Sequence, residues 1–113
     1  MNKRYKPIPG FNMYKISRSG KIYSLYSKRL ISFHFNKKGY VRVRMTNNFG
    51  VSKLKFVHIL VGLVWVPNPE NKPEINHKNK IRHDNRSFNL EWSTRSENML
   101  HSWADRKKLT LNI

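Results

Sequence analysis

Positions 1–68 contain no Asp or Glu, yet they carry 14 of the chain's 23 Lys and Arg. All six acids fall between Glu70 and Asp105. The first two thirds of this 113-residue chain must therefore fold around charge that repels itself unless a polyanion is present. With a formal charge of +17 at pH 7 and a pI near 10.7, a phosphate backbone is the partner that fits best. Lys and Arg displace its condensed counterions and gain affinity that falls steeply with salt. The alternatives are a merely soluble basic protein and a binder of acidic membranes, but no stretch joins a basic face to the long apolar face of a membrane-surface helix. Cysteine is absent, which excludes disulfides, thiolate zinc sites and cysteine nucleophiles. The longest apolar stretch, 56–66, is interrupted by His58 and is about half the roughly 20 residues that a membrane span requires. The charged N-terminus runs into Pro7, Pro9 and Gly10 in place of an apolar signal region. A soluble, cytoplasmic protein without a secretion signal is expected.

Three zones follow one another. In the first, 5–31, short strand-like runs are broken by turn residues, and two short strands joined at Arg18-Ser19-Gly20 fit best. In the second, 39–56, Val41, Val43 and Met45 alternate with Tyr40, Arg42 and Arg44. After the turn signal Asn47-Asn48-Phe49-Gly50, Ser52, Leu54 and Phe56 alternate with Val51, Lys53 and Lys55. Folded as a hairpin, these runs are expected to array Arg42, Arg44, Lys53 and Lys55 on one ribbon surface, narrow enough for a major groove; a solvated sheet face is the alternative. The run 57–65 suits either a strand or a buried helix, and we favour the helix, ended by Pro67 and Pro69.

The third zone reads strand (74–77), polar loop (78–87), strand (88–92) and helix. Thr94-Arg95-Ser96-Glu97 matches a capping box, and the helix is expected to run to about Lys107 with Leu100 and Trp103 on one side. His77 then ends the first strand and Asn98 lies in the first helical turn. A phosphodiester is cleaved when a base deprotonates a water in line with the leaving oxygen while a divalent cation shields the growing charge. Histidine suits the first task, and Asn or Asp oxygens can hold a hard cation for the second. Asn76 and His77 point to opposite sides of a regular strand, so a bulge or strand end is needed to bring them to one site.

These residues resemble the HNH, or ββα-metal, homing endonucleases of phages and group I introns. Tyr5-Lys6-Pro7-Ile8-Pro9-Gly10-Phe11, Tyr14-Lys15-Ile16-Ser17 and Gly20-Lys21-Ile22-Tyr23-Ser24 are similar to the small β module that precedes the nuclease motif in these proteins. Val57-His58-Ile59-Leu60-Val61, Pro67-Asn68-Pro69, Ile75-Asn76-His77, Asn89-Leu90-Glu91-Trp92-Ser93-Thr94 and Glu97-Asn98 are similar to the nuclease core in order and spacing. The resemblance implies an α+β fold: an N-terminal β module over 1–35, then a nuclease domain over 36–113 made of a basic hairpin, a buried helix and the ββα-metal motif. It makes His77 the general base, Asn76 and Asn98 the ligands of one Mg²⁺ or Mn²⁺, and Asn89 the support of the active-site loop and of the base's orientation.

The chain departs from the family in two places. Asn76 stands where many members have Asp, so with Asn98 the protein brings no formal charge to the metal. The loop after His77, often Ile-Asp-Gly-Asn-Lys, is here Lys78-Asn79-Lys80-Ile81-Arg82, without the glycine. The expected function is an endonuclease on double-stranded DNA in the host cell of a phage or mobile element, leaving 5′-phosphate and 3′-hydroxyl ends, nicking as a monomer or cutting both strands as a homodimer. Larger relatives carry a further DNA-binding segment, whereas this sequence ends at Ile113. Specificity is then expected to be short or loose, or to rest on Arg18, Lys21, Arg42, Arg44, Lys53 and Lys55, with Lys78 and Lys80 near the scissile strand and Arg95 as a further DNA contact. His101, one turn after Asn98, is a further candidate for the metal or a phosphate. His58 reads as a core histidine with a backbone partner, and His83-Asp84 as no second metal site. The rival readings are a DNA-binding protein of the same ancestry that no longer cuts, and an RNA-binding protein.

Overall fold

The computed structural model describes residues 4–99. The first zone forms an antiparallel sheet of β1 (Tyr5–Ile8), β2 (Phe11–Ser17), β3 (Ile22–Ser24) and β4 (Arg29–Leu30), in that order. The expected turn at Arg18-Ser19-Gly20 joins β2 to β3, with Tyr14 opposite Ser24 and Ile16 opposite Ile22. Gly20 takes a φ of +94°, and a Cβ there would lie 2.9 Å from Val57 Cγ1, so glycine both permits this turn and lets it abut the helix. The edge strands β1 and β4 are additions to the two strands read from the sequence; Pro7 is tolerated in β1 because it lies at the sheet edge.

The second sheet has the order β5 (His34–Phe35), β6 (Val41–Thr46) and β7 (Ser52–Phe56), with Val41, Val43 and Met45 buried. The expected hairpin forms, but its register corrects the expected four-cation surface. Arg42 pairs with Phe56 and Arg44 with Leu54, whereas Lys55 pairs with Val43 and Lys53 with Met45. Directly opposed residues project to the same side of an antiparallel ladder. The arginines therefore share the outer face with Ser52, Leu54 and Phe56, and the lysines emerge along the margin of the core face. The loop sets this phase: Thr46 pairs with Ser52, so even positions meet even positions.

Helix α1 (Val57–Trp65) follows at once, confirming the buried helix, and directs Val57, Leu60, Val61 and Trp65 into the core. Val66 N–H donates to the Gly62 carbonyl at 3.1 Å before Pro67 ends the ladder. A Cβ on Gly62 would lie 1.8 Å from Ile75 Cδ1, so the next strand rests on the helix backbone itself. That strand, β8 (Glu74–His77), pairs antiparallel with β9 (Leu90–Ser93). β9 begins later than the sequence suggested, because 87–89 forms a single 3₁₀ turn. Residues 95–99 are helical and open α2. Its capping box is present: Glu97 N–H donates to Thr94 Oγ1 at 3.1 Å and Thr94 N–H to Glu97 Oε1 at 2.7 Å. The expected extension to Lys107, with Leu100, His101 and Trp103, lies outside the described residues.

One apolar core runs from Ile8, Phe11, Ile16 and Ile22 of the first sheet through Val41, Val43 and Met45 to α1 and Leu90. Trp65 Nε1–H donates to the Ile16 carbonyl at 3.1 Å, and Ser87 N–H to the Arg18 carbonyl at 2.8 Å, so the N-terminal sheet is docked on the later elements. Among the described residues no helix is long and apolar enough to cross a membrane.

Candidate active site

His77 closes β8 on the side that covers α1, and Asn76 takes the other side, with Glu91 opposite it. The β8–β9 register is regular, so the strand end, not a bulge, brings both residues to one cleft. This cleft, of about 340 Å³, is lined by Asn76, His77 and Asn98 together with Tyr40, Lys80 and Arg82.

The His77 ring is buried, with its Nε2 2.9 Å from Oδ1 of Asn85, itself buried. A carbonyl oxygen only accepts, so Nε2 carries a proton here, and in the neutral tautomer Nδ1 is the nitrogen with the lone pair. Tyr40 and His58 flank the ring at centroid distances of 6.1 and 4.9 Å. Burial, and after it the neighbouring His77, pushes His58 down to about 4, so it stays neutral beside His77 at neutral pH. The expected backbone partner of His58 is not found at Nδ1, which is buried without any hydrogen bond.

Asn98 donates from Nδ2 to Glu74 Oε1 at 2.7 Å and accepts at Oδ1 from Ser93 Oγ at 2.9 Å. Asn76 donates from Nδ2 to Glu91 Oε1 at 3.0 Å. Each amide nitrogen is thus held by a carboxylate, which leaves Oδ1 as the free end of Asn76 and a second lone pair on Oδ1 of Asn98. Amide oxygens suit a hard cation, and the two glutamates behind them supply negative charge that the neutral amides lack. Among the described residues no three His, Asp or Glu side chains converge as a metal site, so a cation here would rest on those amide oxygens.

The loop between the strands is built from amides. Buried Asn89 accepts the Asn79 N–H at 3.1 Å and donates from Nδ2 to Asn79 Oδ1 at 3.0 Å and to the Asp84 carbonyl at 2.9 Å. It braces the loop without touching the His77 ring; the ring's partner is Asn85, which the sequence reading missed because nothing distinguishes it within a polar stretch. Lys80 adopts a φ of +67°, the left-handed conformation that a glycine takes freely, at a cost of about 1 kcal/mol. The turn is kept despite the missing glycine, and Lys80 N–H donates to the His77 carbonyl at 3.0 Å. Asp84 is gripped by Arg86 at 2.6 and 2.7 Å and by Asn79 at 2.7 Å. The guanidinium of Arg86 holds its carboxyl well below the usual carboxylate range, while His83 stacks edge-on against Phe35.

The remaining predicted cations are spread more widely. Arg42 and Arg44 occupy the outer hairpin face, Arg44 Nη1 donating to Ser52 Oγ at 3.3 Å, while Lys55 lies 6.0 Å over the Phe11 ring. Arg18 stacks on Trp65 at 4.3 Å. Lys21, Lys53, Lys78 and Arg95 are exposed, and His101 lies outside the described residues.

Residues 55–100 match the HNH endonuclease family model and residues 4–46 the NUMOD4 motif. The chain carries an HNH endonuclease domain preceded by a NUMOD4 motif. It is 30% identical to the DNA endonuclease I-HmuI of Bacillus phage SP01 over 96% of this chain and 61% of that protein. Two uncharacterized HNH endonucleases of Acanthamoeba polyphaga mimivirus are 31% and 37% identical over 91% and 93% of this chain. The chain spans only 31% and 26% of their lengths. A solved structure of DNA binding and cleavage by the HNH homing endonuclease I-HmuI superposes with a TM-score of 0.83 at 28% identity, over 89% of this chain and 58% of that one. The fold is therefore α+β, a small strand module followed by a ββα core.

Proposed function

We propose that this chain is a metal-dependent DNA endonuclease that hydrolyses one phosphodiester bond per site, with His77 as its general base. The observation that carries this reading is the tethered imidazole: Asn85 takes up Nε2 of a ring that lines one cleft with Asn76 and Asn98, which leaves Nδ1 of the neutral tautomer to act as the base. Nδ1 takes the proton of a water attacking phosphorus; the new P–O bond forms as the bond to the 3′-oxygen breaks, leaving a 5′-phosphate and, once that oxygen gains a proton, a 3′-hydroxyl. Asn76 and Asn98 would hold Mg²⁺ or Mn²⁺ through their amide oxygens, and the bound cation would shield charge on the phosphoryl oxygens. Lys80 and Arg82 draw the phosphate into the cleft. Neutral His58 avoids adding a second charge beside the imidazolium that forms on His77. Asn89 acts as a positioning residue through the loop it braces. Arg42 and Arg44, with Arg18, Lys21, Lys78 and Arg95, contact the duplex. One site serves one strand, so a monomer nicks and a homodimer cuts both.

Supercoiled plasmid with Mg²⁺ tests this reading. The wild type should relax it, EDTA should stop it, and His77→Ala should nick at least about 100-fold more slowly. Equal relaxation by both proteins would remove His77 from the chemistry. The second reading, a DNA-binding protein that no longer cuts, draws on the neutrality of both proposed ligands; duplex binding without metal-dependent nicking by the wild type would establish it.

A further inference from the structure

Tyr40 is a wall shared by two clefts. Besides the His77 cleft it lines one of about 510 Å³ together with Asn36, Lys37, Lys38, Arg42 and Phe56. Three cations and two aromatic rings meet there, with no acid among the lining residues. Arg42 is half-buried, and its Nε is shielded from water without any hydrogen-bond acceptor. Buried donors are almost always satisfied, and one left unpaired costs what a lost hydrogen bond costs, so the guanidinium gains if it shifts to meet an acceptor that enters the cleft. The surrounding turn is hydrogen-bonded through Asn36. Asn36 Oδ1 accepts the N–H groups of Lys38 and Tyr40 at 3.0 and 2.9 Å, and Gly39 N–H donates to the Asn36 carbonyl at 3.1 Å. Arg82, which lines the His77 cleft, donates to the Lys38 carbonyl at 2.6 Å and stacks 5.1 Å over Tyr40, tying the two clefts together.

We infer that this second cleft is a phosphate seat, in which Arg42 grips a backbone phosphate of the same nucleic-acid strand that enters the His77 cleft, with Lys37 and Lys38 flanking it. The inference rests on the DNA-cleaving reading and deepens it. The chemistry favours a phosphodiester: a guanidinium fork binds phosphate oxygens in a fixed plane, and uncompensated lysines supply the charge. A strand leaving the His77 cleft across Tyr40 arrives over Arg42, so the seat would set how far the strand advances before its scissile bond is presented.

The test is binding of a short fluorescent DNA duplex by the intact chain over a range of NaCl concentrations. Arg42→Ala should weaken binding about tenfold and reduce the slope of log K against log salt by about one. Arg42→Lys keeps the charge but not the fork and should still lose about fivefold; a diffuse basic field would leave it at the wild-type value. Thermal unfolding monitors the fold of each variant, and the Lys37→Ala/Lys38→Ala pair, on an exposed turn, provides the slope measurement should Arg42→Ala not fold. If the wild type binds duplex while Arg42→Lys matches it and the alanine variants keep the full slope, the phosphate seat is wrong and the DNA reading stands. If the wild type itself does not bind duplex, both fall.

Discussion

The acid-free first two thirds and the acid-bearing remainder are held together by different means. Up to Trp65 the structure rests on apolar burial: Ile16, Ile22, Val43, Val57 and Val61 are fully inaccessible, and the cations sit outside them, most exposed or stacked on aromatic rings and Arg42 half-buried. Between Glu74 and Asn98 the apolar contribution shrinks to Ile75, Leu90 and the half-buried Trp92, and amide side chains take over. Asn79, Asn85, Asn89 and Asn98 are each bonded to a specific partner. Apolar contacts tolerate small shifts, while a hydrogen-bonded amide fails when its partner moves by an ångström. The first region is therefore suited to presenting charge, and the second to fixing the positions of polar side chains.

Substitutions should separate the two regions. The largest effect is expected at Asn85→Ala, which frees the His77 ring: nicking should slow on the order of 10- to 100-fold while duplex affinity stays within about twofold. Equal losses of nicking and affinity would mean that the amide loop also binds DNA. Asn89→Ala removes three bonds from a buried residue and should cost about 2–3 kcal/mol, read as a lower midpoint in urea unfolding. A loss below about 0.5 kcal/mol would show that the loop does not depend on its amides.

The pH response of stability sharpens the contrast further. His58 titrates near 4 when folded and near 6.5 when unfolded, so above pH 6.5 it is neutral in both states and contributes nothing. As pH falls from 6.5 towards 4 the unfolded chain takes up a proton that the folded one refuses, and stability is lost. Comparing His58→Phe with the wild type at pH 7 and pH 4.5 should reveal about 2 kcal/mol of extra acid sensitivity in the wild type. Parallel curves would place His58 in a wetter environment than its burial indicates. The smallest effect belongs to Lys53→Ala with Lys55→Ala. Because both lie on the face opposite Arg42 and Arg44, duplex affinity should fall by no more than about threefold at moderate salt. A loss as large as that of the arginines would mean that DNA wraps both faces of the hairpin.

Much of this was legible in the residues themselves. Alternation at 41–45 and 52–56 placed the hairpin strands, Pro67 ended α1, Thr94 and Glu97 marked the start of α2, and His77 and Asn98 fell where strand end and first helical turn bring them to one cleft. These are local signals, carried by neighbours a few positions apart, and a chain obeys them wherever it folds. The faces of Lys53 and Lys55, the Asn85 partner of His77, the buried Nε of Arg42 and the buried, unbonded Nδ1 of His58 were decided by tertiary structure alone. Each depends on how two segments are phased or how closely they approach, which the periodicity within either segment does not encode.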